Sequence, residues 1–318
     1  MYPTKAAIID MGTNTFHLLL VELYENKYNT IYKEKIPVKV GQGGISQNTI
    51  HPDAIKRAFH TLKHFRSLID GEGIQNIFAF ATSAVRNAEN GVDFVKQIKE
   101  LFQIEVNVID GLQEAQMIYE GIRFSGSLNG ENYLMMDIGG GSVEFIIGNS
   151  LEAFWRQSFE IGGQRMLDLF HYHDPILPEE VDNLTFYLKG KLQELEKSIN
   201  HYKPTGLVGA SGTFDTLTDI YFASKNQTKS NNQHVFQLPR DEFEIIAQKL
   251  LTLNKEERLK IKGMIPMRVD MIVVASCLIE YILKLVPVNT LVCSNYALKE
   301  GAIAQLMGKH SMSTAISQ

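Results

Sequence analysis

Short, nearly unbroken apolar runs alternate along this chain with longer stretches in which apolar residues recur at helical spacing. The first pattern predicts buried strands, the second helices with one apolar face. In the N-terminal part, residues 6–9 predict a strand ending at Asp10, residues 16–23 a second strand, and residues 27–40 a stretch of mixed β character. Residues 52–69 predict a helix opened by His51-Pro52-Asp53, since proline suits a first turn. A strand over 77–80, a helix over 93–102, a strand over 104–109 and a helix over 113–121 follow. Strands alternating with helices predict an α/β fold with a largely covered sheet.

Ser125-Gly126-Ser127-Leu128-Asn129-Gly130 is small, polar and glycine-rich, and marks a domain boundary. Beyond it the alternation restarts, with strands over 133–136 (ending at Asp137), 143–147, 207–209 and 291–293. Helices are predicted over 179–199, from Thr213, and from Tyr296 onward, with a polar loop over 223–232. The apolar stretch 269–286 carries Asp270, Glu280 and Lys284, too charged for a membrane span of about 20 apolar residues, and reads as a buried core helix. Two domains result, 1–124 and 125–318, with the C-terminal helix 296–310 expected to pack back on the first.

The restart is an internal repeat. Ile8-Ile9-Asp10-Met11-Gly12-Thr13-Asn14-Thr15-Phe16 aligns with Met135-Met136-Asp137-Ile138-Gly139-Gly140-Gly141-Ser142-Val143. Each copy is an apolar strand, an Asp, a glycine-containing turn and a second apolar strand. Two ordinary hairpins would also need glycine turns. The matching Asp-x-Gly argues for more, because a carboxylate at the end of a buried strand is costly unless used or paired.

Composition narrows the classes. With 44% hydrophobic and 21% charged residues, the 318-residue chain is globular rather than disordered or fibrous. A net charge of -5 leaves no basic excess to drive binding to a nucleic-acid polymer. Cys277 and Cys293 form no disulfide framework and carry no metal-ligand spacing, which fits a reducing, cytoplasmic setting. The first apolar run is broken by Asp10 and does not read as a secretory signal.

Candidate chemistry gathers at turns. Gly139-Gly140-Gly141 lets backbone N–H groups approach an anion without Cβ interference, and Asp137 and Glu144 beside it are candidate ligands of Mg²⁺. Counting cannot place Glu144 relative to Asp137, because a turn intervenes. Gly12-Thr13-Asn14-Thr15 is the companion turn, a phosphate grip or plain turn chemistry. Arg86, in Thr82-Ser83-Ala84-Val85-Arg86 after the strand over 77–80, reads as a phosphate contact or a surface arginine. Glu114, after Asp110-Gly111-Leu112-Gln113, reads as a general base for water or a residue complementing a helix dipole. Gly209-Ala210-Ser211-Gly212-Thr213 is a third glycine-rich turn leading into a helix, with Asp215 and Thr216 read equally as caps. His17 reads as a structural histidine, and His171 and His173 as loop residues. The chain has no Gly-x-x-x-x-Gly-Lys-Ser/Thr loop, no Gly-x-Ser-x-Gly elbow and no His-Glu-x-x-His, so metal-assisted attack by water is the simplest chemistry.

Asp10 to His17, Ala81 to Arg86, Glu114-Ala115 and Asp137 to Glu144 occur in an order that resembles the exopolyphosphatase / guanosine pentaphosphate phosphohydrolase family. Ser158-Phe159-Glu160-Ile161-Gly162-Gly163-Gln164-Arg165, the turn at Gly209, Arg268-x-Asp270 and the segment from Ser294 to Gly301 extend the resemblance over nearly the whole chain. It implies an α/β fold of two ribonuclease-H-like lobes in the actin-like, sugar-kinase-like superfamily, with substrate in an interlobe cleft. It implies Glu114 as the catalytic base and Asp137, Glu144 and Asp10 as the acids of a Mg²⁺ site. The implied phosphate contacts are Asn14, Thr15, Arg86, Gly139, Gly140, Gly141, Ser142, Arg165 and Arg268. Lys299 stands where the terminal motif leads one to expect arginine, which puts a bidentate contact there in doubt.

The implied activity is Mg²⁺-dependent hydrolysis of the terminal phosphate of linear polyphosphate, in a cytoplasmic homodimer with no membrane partner. The alternative substrate is guanosine pentaphosphate, cleaved at its 5′ terminal phosphate. A kinase of the same superfamily and a phosphate or nucleotide sensor are remoter readings.

Overall fold

Each of the two aspartates, Asp10 and Asp137, stands one residue before the end of a strand at the centre of its own sheet. The computed structural model describes residues 3–25, 27–230 and 232–315, with side chains to residue 308. In the first half, β1 (Thr4–Met11) and β2 (Thr15–Leu23) form a hairpin, because two apolar runs flank a small, polar turn. β3 (Tyr28–Pro37) adds antiparallel to β2 and forms an edge studded with charges, which discourages further pairing. β4 (Asn76–Ala81) lies parallel to β1, and β5 (Val106–Val108) parallel to β4, giving the order β3-β2-β1-β4-β5. Ala6 to Ile9 are buried on both faces of the sheet, so this strand reads as an unbroken apolar run rather than an alternation.

Helices cover the sheet. α1 (Pro52–Gly71) is capped by His51, whose Nδ1 accepts the Asp53 N–H, and buries Ala54, Ala58, Leu62, Phe65 and Ile69 at helical spacing. α2 (Ser83–Arg86) is a single turn after β4, and α3 (Gly91–Phe102) stacks Phe94 on Phe59 of α1 with ring centroids 5.8 Å apart. α4 (Gly111–Phe124) follows β5, and the C-terminal helix Leu298–Ala315 packs against β1.

The second half repeats the plan. β6 (Tyr133–Ile138), β7 (Val143–Gly148), β8 (Ala153–Phe159), β9 (Gly206–Ala210), β10 (Val235–Pro239) and β11 (Thr290–Ser294) stand in the order β8-β7-β6-β9-β11-β10. The first five match β3-β2-β1-β4-β5 in order and direction, and β10 is an added antiparallel edge. Even an irregularity repeats: the register slips between Leu20 and Val21 in β2 and between Ile147 and Gly148 in β7, at equivalent positions of the two copies. Both sheets therefore have the ribonuclease-H-like arrangement.

Around the second sheet lie α5 (Gly163–Phe170), α6 (Pro178–Lys191), α7 (Gln193–Tyr202), α8 (Ser211–Ser224), α9 (Arg240–Thr252), the single turn α10 (Lys255–Arg258) and α11 (Met271–Leu285). α11 is buried on nearly every side and packs against α5, α6 and α9, the place expected of the 269–286 segment. Among the described residues, no helix is long and apolar enough to cross a membrane.

The chain divides into two compact units, Met1–Gly121 with Leu298–Gln318, and Ile122–Ala297. The first division falls within α4, ahead of the glycine-rich stretch at 125–130. The helix expected over 179–199 is two helices, because Leu192 (φ −100°, ψ 18°) leaves helical geometry between α6 and α7. Leu188, Leu192, Leu195 and Ile199 keep helical spacing through the break, so periodicity alone does not show it. β8 and β10 lie outside the predicted strands; β8 is half-buried along most of its length and lacks an alternating signal.

Candidate active site

The first unit supplies a buried carboxylate at a helix start. Asp110 opens α4 with a reciprocal cap: its Oδ1 accepts the Gln113 N–H at 2.8 Å, and Gln113 Oε1 accepts the Asp110 N–H at 3.1 Å. That cap fixes the first turn, which carries Glu114. Glu114 is buried, and its Oε2 accepts from Arg86 Nη1 at 2.8 Å. The same nitrogen donates to the Ile109 carbonyl at 3.1 Å, so the end of β5, the end of α2 and the start of α4 are tied through one guanidinium. Arg86, expected on phosphate, is here the partner of the expected base.

The companion turn lies between β1 and β2. Asp10 stands directly opposite His17 in the ladder, and Thr15 Oγ1 bonds His17 Nε2 at 3.0 Å. His17 is thus hydrogen-bonded, as its place in an apolar strand suggested. The turn's carbonyls are held from outside: the Thr13 oxygen accepts from the Gly41 N–H at 3.0 Å and the Asn14 oxygen from the Lys39 N–H at 2.9 Å.

The second unit repeats this clamp in fuller form. The carbonyls of Gly139, Gly140 and Gly141 accept from the N–H groups of Gly163 (2.8 Å), Gln164 (2.8 Å) and Gly162 (3.1 Å). With the carbonyls turned to one side, no acceptor among the described residues takes the N–H groups of Gly140 and Gly141. Such paired donors make an anion cradle. Arg165 Nε donates to the Gly141 carbonyl at 2.9 Å and its Nη2 to Glu160 at 3.2 Å, so Arg165 braces the cradle's outer side. Ser142 is buried at the end of the turn.

Asp137 and Glu144 are direct partners in the β6–β7 ladder, so their side chains share one face with Cβ atoms roughly 5 Å apart. Both are buried. Ser158, opposite Glu144 in β8, donates to Glu144 Oε1 at 2.7 Å, and Ser211 donates to Asp137 Oδ2 at 2.8 Å. Ser211 holds a positive φ of 68°, which is unusual for a residue with a side chain and marks a site where the surroundings dictate the backbone. It opens α8, whose N-cap Ala210 offers no side-chain cap. Arg268 lies against this helix start, so close that a Cβ on Gly212 would sit 2.1 Å from its Nη2. Burial pushes the Arg268 guanidinium below its ordinary pKa, while the charges of Asp215 and Asp137 act to keep it protonated.

Two buried carboxylates facing each other repel, and a divalent cation relieves that repulsion. Among the described residues, no three His, Cys, Asp or Glu side chains converge as a complete ligand set. Mg²⁺ does not require one, since it binds through one or two carboxylates, substrate phosphates and water. The Asp137–Glu144 pair fits that demand. The first copy has His17 where the second has Glu144, and so offers only Asp10.

Of the expected site residues, the structure joins Arg86 to Glu114 in one unit, and Asp137, Glu144, the glycine turn and Arg268 in the other. Sequence reasoning passed over Ser158 and Ser211 as site residues, although both stand within motifs it quoted. Their hydroxyls become significant only once ladder register is known.

The sequence model of the Ppx/GppA phosphatase family matches residues 20–310. The chain belongs to the Ppx/GppA phosphatase family. As a member of it, the chain superposes on the crystal structure of an exopolyphosphatase from Cytophaga hutchinsonii with a TM-score of 0.94 and 42% identity, over 96% of this chain and 98% of that one. A bifunctional 3-dehydroquinate synthase/phosphatase from Fusobacterium nucleatum is 31% identical over 87% of this chain and 43% of its own length. A guanosine-5'-triphosphate,3'-diphosphate pyrophosphatase from Aliivibrio fischeri is 32% identical over 70% of this chain and 44% of its own. The chain thus spans less than half the length of these two curated relatives. The α/β fold class with two ribonuclease-H-like sheets, implied by the family resemblance, holds for this Ppx/GppA member.

Proposed function

We propose that this Ppx/GppA member is an exopolyphosphatase that removes the terminal phosphate of linear polyphosphate by attack of water, with Mg²⁺ as cofactor. The observation that carries the reading is the second-unit cradle, where unclaimed Gly140 and Gly141 N–H groups adjoin two facing buried carboxylates. Phosphoryl transfer asks mainly for positioning and charge stabilisation, which such a site supplies. Asp137 and Glu144 would hold the metal, which when bound offsets phosphate charge. The N–H groups of Gly140 and Gly141 donate to oxygens of the terminal phosphate. Glu114, oriented by Arg86, takes the proton from the attacking water. As the new P–O bond forms, the anhydride P–O bond breaks, releasing orthophosphate and a chain shorter by one unit.

Polyphosphate is favoured over guanosine pentaphosphate by the relative from Cytophaga hutchinsonii, which this chain matches over 98% of its length and which is described as an exopolyphosphatase. The pyrophosphatase from Aliivibrio fischeri supports the second substrate, but over less than half of its own length. Two free, buried cysteines are compatible with the cytoplasm as the proposed location. The test is orthophosphate release with Mg²⁺ from long-chain polyphosphate, guanosine pentaphosphate and ATP in parallel. Release chiefly from polyphosphate is expected. Faster release from guanosine pentaphosphate makes the protein an alarmone phosphatase, and no release from any of the three overturns the hydrolase reading.

A further inference from the structure

Arg258 is the largest fully buried side chain in the described structure, yet its guanidinium grips three separate segments. Its Nη1 donates to the Leu253 carbonyl after α9 at 2.6 Å and to Asp174 Oδ1 at 2.7 Å. Its Nε donates to the Val269 carbonyl at 3.0 Å, and its Nη2 lies 3.9 Å from Asp270 Oδ1. Val269 and Asp270 are the two residues that follow Arg268. Asp174 lies in the segment after α5, the helix whose first residues clamp the glycine turn. Asp174 is fixed further by the Lys255 N–H on Oδ2 at 2.7 Å, and Asp270 by Lys255 Nζ on Oδ2 at 2.6 Å.

Removing an arginine from water costs more than a single ion pair commonly returns, so stability alone is a poor reason for this arrangement. What the arrangement does supply is placement. The backbone on the C-terminal side of Arg268 cannot shift without breaking the Arg258–Val269 bond. The Arg268 guanidinium occupies the space a side chain at position 212 would take, so the glycine there leaves it room at the start of α8.

We propose that Arg258 is a positioning residue for the phosphatase reaction. It fixes Arg268 at the start of α8 beside Asp137, and through Asp174 it links that placement to the helix that shapes the glycine cradle. The proposal rests on the hydrolase reading above. A merely structural Arg258 would affect thermal stability and leave the work of Arg268 untouched.

A double-mutant cycle on the full chain separates these roles, using Arg258→Lys, Arg268→Lys and both together. The readouts are kcat and KM for orthophosphate release from polyphosphate, the Kd for tripolyphosphate by calorimetry, and the thermal midpoint. Alone, Arg258→Lys is expected to lower kcat/KM about tenfold at temperatures where the variant remains folded, and in the Arg268→Lys background to cost less than about twofold. Asp270→Asn, a change at a half-exposed site, is carried through the same cycle in case Arg258→Lys does not fold, with an expected loss of about threefold that also vanishes without Arg268. Equal losses in both backgrounds, or a lowered midpoint with unchanged kcat/KM, overturn the positioning role while an active wild type keeps the hydrolase reading. A wild type that neither hydrolyses polyphosphate nor binds tripolyphosphate overturns both. One that binds without hydrolysis overturns the hydrolase reading, and the cycle is then read on Kd.

Discussion

Glu114 and Arg86 illustrate how one contact combines two duties. The guanidinium holds the carboxylate in place, and under the proposed mechanism it orients the general base. Glu114→Gln keeps the shape and a hydrogen-bonding oxygen for Arg86 but removes the proposed base. It is expected to lower kcat by roughly 10²-fold or more with little change in KM, measured as orthophosphate release. Glu144→Gln tests the other unit. It removes one of two facing negative charges, so the Mg²⁺ concentration giving half-maximal rate is expected to rise about tenfold or more, and chelation with EDTA is expected to abolish release from the parent chain. A metal requirement unchanged in Glu144→Gln would remove that residue from the ligand set.

At the scale of elements, the clamp on the glycine turn is sensitive to substitution. A Cβ on Gly162 would fall 2.4 Å from the Gly141 carbonyl carbon and 2.5 Å from Gly140, against backbone that has nowhere to go. Gly162→Ala is therefore expected to lose about 1–3 kcal/mol of stability, seen as a lower thermal midpoint, and to raise KM because the cradle is displaced. Much of this architecture was legible in advance. The Asp-x-Gly repeat, the core strands and the α11 helix follow from apolar runs and from acids where they are costly. Other features depend on geometry that sequence does not carry. Asp137 and Glu144 face each other because the turn between them sets the ladder register, and turn length alone does not give register. The break at Leu192 is hidden because the buried face runs through it. Arg258 reads as any arginine beside two glutamates until packing encloses it.

For the molecule as a whole, the two cysteines report on integrity. Burial, reinforced by Glu280 for Cys277 and by Asp215 for Cys293, pushes both thiols up to about 12. The folded protein therefore keeps them protonated and unreactive at neutral pH. Both are expected to resist a thiol reagent such as DTNB at pH 8 and to react fully in denaturant. Because the folded pKa values are raised, the unfolded chain releases these protons first. Their contribution to stability is intact below the ordinary thiol pKa of 9.0 and is lost as pH rises from there towards about 12. The thermal midpoint is expected to be flat from neutrality up to that threshold and to fall above it. A native thiol that reacts readily at pH 8 would contradict the burial on which this rests.

The division of the chain also sets an order of events during synthesis. The second unit is one continuous stretch, Ile122–Ala297, whereas the first combines the opening residues with Leu298 onward. The half whose strands are made ahead of the second unit is thus completed after it, because the helix that packs against β1 follows Ala297 in the chain. Until then its sheet waits with that surface uncovered, while the later-made unit already has all its parts. A chain truncated after Ala297 and released should therefore resist protease in the second unit and yield in the first, the reverse of the order in which they were translated.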